Sequence, residues 1–83
     1  MFVVYVLKSA RNGKRYVGYS SKNADVRLAE HNSGTNTFTR QNRPFHLVYT
    51  EPYETKTEAM QREKFLKSGK GREFLDNIIG PLA

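Results

Sequence analysis

Tyr5, Tyr16, Arg27, His31 and Glu63 are the side chains of this sequence best suited to proton and phosphate chemistry. Hydrolysis of a phosphodiester needs a deprotonated water, positive charge for the pentacovalent phosphate, and a cation or acid at the leaving oxygen. Glu63 is the central acidic candidate, because one carboxylate and several waters suffice to hold Mg²⁺. It lies in residues 59–67, where Ala59, Glu63 and Lys67 form an i, i+4 stripe. That stripe borders the apolar side expected of Ala59, Met60, Phe65 and Leu66. The plain alternative is an exposed Glu63 paired with Lys67, worth ~0.2 to 0.5 kcal/mol on a helix surface. Arg27 and His31 stand four residues apart, hence on one helix face. Arginine can grip a phosphate bidentately and a neutral imidazole can take a proton near neutral pH; the plain alternative is a solvated face. His46 has no identifiable partner, and the two histidines show no metal-ligand spacing. A tyrosine of pKa ~10 is a poor base unless cations stabilise its phenolate. Gly18 sits inside an apolar run, where a glycine marks close approach by a ligand or another backbone.

Two strands must carry the tyrosines. Residues 2–8 are β-branched and aromatic on both alternating sets, the pattern of a central strand covered on both faces. Asn12-Gly13 follows, the signal of a two-residue type I′ turn, and residues 14–20 return. With Asn12 and Gly13 as the loop, Tyr5 pairs with Ser20, Leu7 with Gly18 and Ser9 with Tyr16. Tyr5, Tyr16 and Gly18 then share one face of the sheet, an arrangement that a one-residue slip would break.

Helices must carry the rest. Asn23 caps a helix over residues 24–33, with Asp25 in its first turn and Gly34 closing it. Residues 35–44 lack an apolar period and read as a mobile basic loop. A third strand spans residues 45–51, with Leu47 and Tyr49 on one face and Val48 on the other. Thr55 and Glu58 fit a capping box opening a helix that runs to about residue 68. Gly69 and Gly71 break it, and a short helix over residues 72–79 stops at Gly80-Pro81. The expected fold is α+β: a three-stranded antiparallel or mixed sheet with helices against it.

With 83 residues the chain makes one domain with a thin core. Cysteine is absent, which excludes disulfides, thiolate zinc sites and cysteine nucleophiles and favours a cytoplasmic location. The longest apolar run, residues 2–7, is far short of the ~20 residues that span a bilayer and makes a poor signal peptide. A formal charge of +6 favours an anionic partner, of which phosphate backbones are the commonest. Simple solubility is the plain alternative.

These residues resemble the GIY-YIG nuclease superfamily. Val3-Val4-Tyr5 and Tyr16-Val17-Gly18 resemble the paired tripeptides that name it. Arg27 resembles the helix arginine, and Leu47–Glu51 with Ala59–Lys67 resembles the strand and the metal-binding helix. The match covers nearly the whole chain in the right order and is most similar to the small stand-alone bacterial branch. It implies Mg²⁺-dependent cleavage of DNA (DNA before RNA, with Mn²⁺ as substitute) and one divalent ion held by Glu63. It also implies Tyr16 near the attacked phosphate with Tyr5 beside it, one of them helping to activate water. Arg27 would stabilise the phosphorane, and His31 occupies a position where relatives carry tyrosine or histidine. Gly18, Lys67, Arg15, Arg40, Arg43, Lys70 and Arg72 are expected along the nucleic acid. The chain departs from the pattern at Val3, in place of the first glycine, and at Tyr19, where several relatives are basic. The rival readings are a binding module of the same fold without useful catalysis, and a protein-interaction domain.

Overall fold

Extended apolar residues on both faces make β1 (Phe2–Ser9) the middle strand, as its pattern predicts. The structure is a computed structural model and describes residues 1–34 and 37–80. β2 (Arg15–Ser20) and β3 (Phe45–Tyr53) flank β1 in the order β2-β1-β3, and both pairings are antiparallel. The sheet is thus purely antiparallel within an α+β fold.

The hairpin register differs from the expected one by two residues. Tyr5 faces Gly18, Leu7 faces Tyr16 and Lys8 faces Arg15. The Ser9 N–H donates to the Lys14 carbonyl at 2.8 Å and the Gly13 N–H to the Ser9 carbonyl at 2.9 Å, so the loop holds four residues, 10–13. A type I′ turn needs positive φ at two positions, but only Gly13 supplies it, at 78°. Ser9 Oγ fills the loop by accepting from the N–H groups of Arg11 and Asn12. A two-residue shift leaves every side chain on its expected face, because the strand period is two. Tyr5, Tyr16 and Gly18 therefore still share a side.

β3 carries a second correction. The register against β1 shifts between Val6, opposite Tyr49, and Leu7, opposite Leu47, which leaves Val48 as an extra residue. Val48 and Tyr49 consequently pack together on one side of the sheet, and Leu47 packs on the other.

α1 (Ala24–Asn32) begins as predicted, with Asn23 Oδ1 accepting from the Asp25 N–H at 2.8 Å. It ends one residue early, and Gly34 turns the chain at a φ of 87°. Residues 37–42 are not a loop but a short helix, α2 (Thr37–Asn42); residues 35–36 lie outside the described ones. No local period signals so short a helix. Its end is tied to the hairpin loop by Asn12 Nδ2 donating to Asn42 Oδ1 at 2.6 Å and Ser9 Oγ donating to the Asn42 carbonyl at 2.5 Å.

α3 (Lys56–Leu66) opens on the expected Thr55 cap, since Thr55 Oγ1 accepts from the Glu58 N–H, and the Glu58 carboxylate accepts from the Thr55 hydroxyl. α4 (Gly69–Ile79) starts three residues before its predicted beginning. Gly69 and Gly71 do not interrupt a helix; they form the first turn of α4, capped by Ser68 Oγ. Gly71 is required there, because a Cβ would lie 2.0 Å from the Phe65 carbonyl oxygen and 2.4 Å from Leu66 Cα. Gly80 ends α4 as expected, at a φ of 86°; Pro81 lies outside the described residues.

The sheet separates two small cores. Val4, Val6 and Val17 meet Ala59, Leu66 and Leu75 of α3 and α4 on one face. Tyr5, Leu7 and Phe45 meet Ala24 of α1 on the other, with Tyr16 and Leu28 beside them. Met60 and Phe65, expected on the apolar side of α3, are exposed. No helix among the described residues is long and apolar enough to cross a membrane.

Candidate active site

Tyr5 lies at the middle of the central strand and its ring covers Gly18 on the neighbouring one. A Cβ on Gly18 would stand 2.6 Å from Tyr5 Oη and 2.7 Å from Cζ. The close approach expected at this glycine is therefore made by the Tyr5 side chain. Tyr16, two residues before Gly18 on the same face, stacks on Tyr5 with ring centroids 6.4 Å apart.

α1 delivers Arg27 and His31 to these rings. Tyr5 Oη lies 2.9 Å from His31 Nε2, and Arg27 approaches the same two atoms, with Nε 3.4 Å from Tyr5 Oη and Nη2 3.4 Å from His31 Nε2. A guanidinium only donates, so Nε2 is the accepting nitrogen of a neutral ring with its proton on Nδ1. Tyr5 then donates to His31 and accepts from Arg27. The His31 ring also meets Tyr16, at 4.6 Å between centroids. His31 is fully buried, unlike the residue of a solvated helix face.

Burial, reinforced by the Arg27 charge, holds the His31 imidazole below its ordinary 6.5. Burial also raises the Tyr5 phenol above its ordinary 10.0, against the lowering effect of Arg27. Both shifts fix the neutral Tyr5–His31 pair as the resting state. The Arg27 guanidinium is held still more firmly in its charged form, first by the bond to Tyr5 and then by Glu30, against the effect of burial. Glu30, which no spacing argument singled out, accepts from Arg27 Nη1 at 2.5 Å and from Lys22 Nζ at 2.7 Å. It occupies part of the guanidinium that a phosphate would use.

Glu63 lies in the opposite layer, on α3. α3 packs on β1 and β2, and the Glu63 charge is among those that raise the Tyr5 phenol. Its side chain is 21% exposed, and Lys67 Nζ stands 3.6 Å from Oε1, the pairing anticipated as the plain alternative. A groove of about 450 Å³ along the edge strand brings Tyr16 and Lys67 together with Lys14, Arg15 and Arg72, over Val17, Leu66 and Leu75. Among the described residues no group of three His, Cys, Asp or Glu side chains converges, so neither a zinc-type nor a multi-carboxylate site exists there. The donor set that remains, the one partly exposed Glu63 carboxylate, suits a hydrated Mg²⁺ or Mn²⁺.

The basic residues divide. Lys67, Lys70 and Arg72 are exposed where α3 meets α4, and Arg72 Nη1 points back to the Lys67 carbonyl at 3.5 Å. Arg40 and Arg43 are exposed around Gly34, past the end of α1. Arg15 lines the same groove as Lys67 and Arg72, but its charge is already engaged. Its side chain is 7% exposed, paired with Asp76 and bonded to the Gly80 carbonyl at 2.9 Å, tying β2 to the end of α4. Lys14 lines the groove beside Tyr16, although in sequence a turn lysine looks like ordinary solvation.

A family model described as the GIY-YIG catalytic domain matches residues 1–75. The chain belongs to the GIY-YIG family. It is 44% identical over 66 residues to UPF0213 proteins of several Staphylococcus aureus strains, Mu3 and USA300 among them, covering 78% of this chain and 78% of theirs. The solution structure of the UPF0213 protein BH0048 from Bacillus halodurans is similar at a TM-score of 0.56 and 36% identity, covering 96% of this chain and 87% of that one. The GIY-YIG domain carries with it a nuclease-type fold and a nucleic-acid substrate.

Proposed function

We propose that this GIY-YIG protein is a divalent-metal-dependent endonuclease that hydrolyses phosphodiester bonds, in DNA before RNA. The observation that carries the reading is the meeting of Tyr5, Arg27 and His31 within 3.4 Å of one another, with Tyr16 against the same rings. Glu63 is the residue that would hold Mg²⁺, with Mn²⁺ as substitute. A divalent ion there would neutralise phosphoryl oxygens and make a bound water more acidic.

The protein's own groups have separate tasks. Arg27 offers N–H donors to the non-bridging oxygens, whose charge grows in the transition state. Tyr16 is more accessible than the buried Tyr5 and lines the basic groove, so it is the tyrosine that meets the phosphate or the attacking water. Tyr5 lies behind it, where a proton arriving at Oη is matched by one passed to His31 Nε2. Lys14, Lys67 and Arg72 hold the backbone along the groove, and Arg40, Arg43 and Lys70 extend the grip.

A second reading has its own observation. Arg27 is held by Glu30 and Glu63 stands beside Lys67, which is what a nucleic-acid-binding module without useful catalysis would retain. Branched, nicked and linear DNA, and RNA of the same sequence, incubated with Mg²⁺ or Mn²⁺ separate the two. The nuclease cleaves at least one of them, and Glu63→Ala lowers the rate by roughly 100-fold or more. Cleavage untouched by that substitution removes Glu63 from the site, and metal-independent binding without cleavage of any substrate leaves the binding module.

A further inference from the structure

α3 presents Glu63 although little apolar contact fixes its rotation. Only Ala59 and Leu66 of this helix are buried among the described residues, and Met60 and Phe65 are exposed. A small alanine and one leucine near the last turn give α3 a narrow apolar anchor, and its close crossing with α4 lies only at its C-terminal end. A polar contact supplies the missing constraint. Arg62 donates to Glu51 of β3 through both Nε, at 2.8 Å, and Nη2, at 3.0 Å. Its guanidinium lies over the rings of Phe65 and Phe74, at 4.9 and 4.8 Å from their centroids. The Tyr53 hydroxyl donates to Glu51 Oε1 at 2.7 Å, and the Tyr49 hydroxyl donates to Oε2. Burial alone would raise the Glu51 carboxyl, but these bonds, Arg62 first, hold it below its ordinary 4.5.

Arg62 precedes Glu63, so the two side chains point about 100° apart around the helix axis. Holding the first against β3 directs the second away from β3, toward the hairpin. We propose that Glu51 and Arg62 are positioning residues of the candidate site: their bidentate pair fixes the rotation of α3 and thereby aims Glu63 at Tyr5 and Tyr16. The link to metal binding rests on the reading of Glu63 given above; the aiming does not.

The chain has no cysteine, so Glu63→Cys accepts a nitroxide label at one place. The label broadens amide signals of β1 and β2 around Tyr5 and Tyr16. Adding Glu51→Gln, or Arg62→Lys if the first variant folds poorly, cuts that broadening by about half or more. Lysine keeps the charge but loses the two-pronged geometry. Asp76→Asn, which loosens the hold of α4 on β2 without touching Glu51 or Arg62, leaves the broadening unchanged. Equal broadening in the Glu51 and Arg62 variants, or an equal loss with Asp76→Asn, overturns the proposal. In the unlabelled protein, Mn²⁺ line broadening centred on α3 weakens about tenfold in apparent affinity with Glu51→Gln, as expected when a ligand's support is removed. Unchanged Mn²⁺ affinity in a folded Glu51→Gln variant also overturns it. Failure of Mn²⁺ to broaden α3 in the unaltered protein removes the metal reading instead, and the nitroxide result then decides the positioning role alone.

Discussion

The Tyr5 hydroxyl sits between an acceptor, His31 Nε2, and a donor, Arg27 Nε, and that arrangement has a pH signature. Folding lowers the His31 pKa from its ordinary 6.5, so below that value the unfolded chain binds more protons than the folded one. Stability from this ring is therefore complete above pH 6.5 and is lost as pH falls through the depressed folded value. Melting temperature should drop as pH falls below 6.5, and His31→Gln should flatten that limb. The Glu51 carboxyl, also depressed, contributes to a separate loss below its ordinary 4.5. Gly18 belongs to the same cluster. Gly18→Ala places a Cβ 2.6 Å from Tyr5 Oη, so the ring must leave His31. We expect about 1–3 kcal/mol of destabilisation in denaturant melts, with cleavage falling further than stability. Unchanged cleavage would show that the Tyr5–His31 bond is not used.

At the scale of elements, the two glycines at the start of α4 look alike in sequence and differ in structure. Gly69 has open space where a side chain would go, and alanine there should stabilise by about 0.5–1 kcal/mol through helix propensity. Gly71 lies against the α3 backbone, where an added methyl group would stand 2.0 Å from the Phe65 carbonyl oxygen. Gly71→Ala must force the helices apart and should cost more than about 3 kcal/mol despite the same gain in propensity. Thermal melts of the two variants should move in opposite directions. Local patterns identify the caps at Asn23 and Thr55, because capping involves residues only two or three apart. They misplace the start of α4 because the glycine pair breaks a helix on propensity alone, and only the crossing with α3 explains its presence.

For the molecule as a whole, the formal charge of +6 matters less than where the cations end up. Nucleic-acid affinity should fall steeply with salt, and Lys67→Ala or Arg72→Ala should each reduce the slope of log K against log[salt] by about one. Arg15→Ala should leave that slope unchanged and instead lower stability by about 1–2 kcal/mol, because its guanidinium is held by Asp76 and the Gly80 carbonyl. Filter binding across a salt series, paired with thermal melts, checks both outcomes. A slope that responds to Arg15 would place that side chain on the ligand.

Local patterns of residue type specify the central strand, the side of the sheet shared by Tyr5, Tyr16 and Gly18, the caps of two helices and the basic charge. Each follows from a period of two or 3.6 or from a contact between near neighbours, and so survives even a two-residue error in register. Tertiary structure alone decided the rest. The Tyr5–His31 bond joins residues 26 apart and the Arg15–Asp76 pair residues 61 apart, and the Val48 bulge and the α2 helix depend on partners across the fold. Such contacts arise where separately encoded elements pack, and no local pattern of residue types records which atoms will then stand within hydrogen-bonding distance.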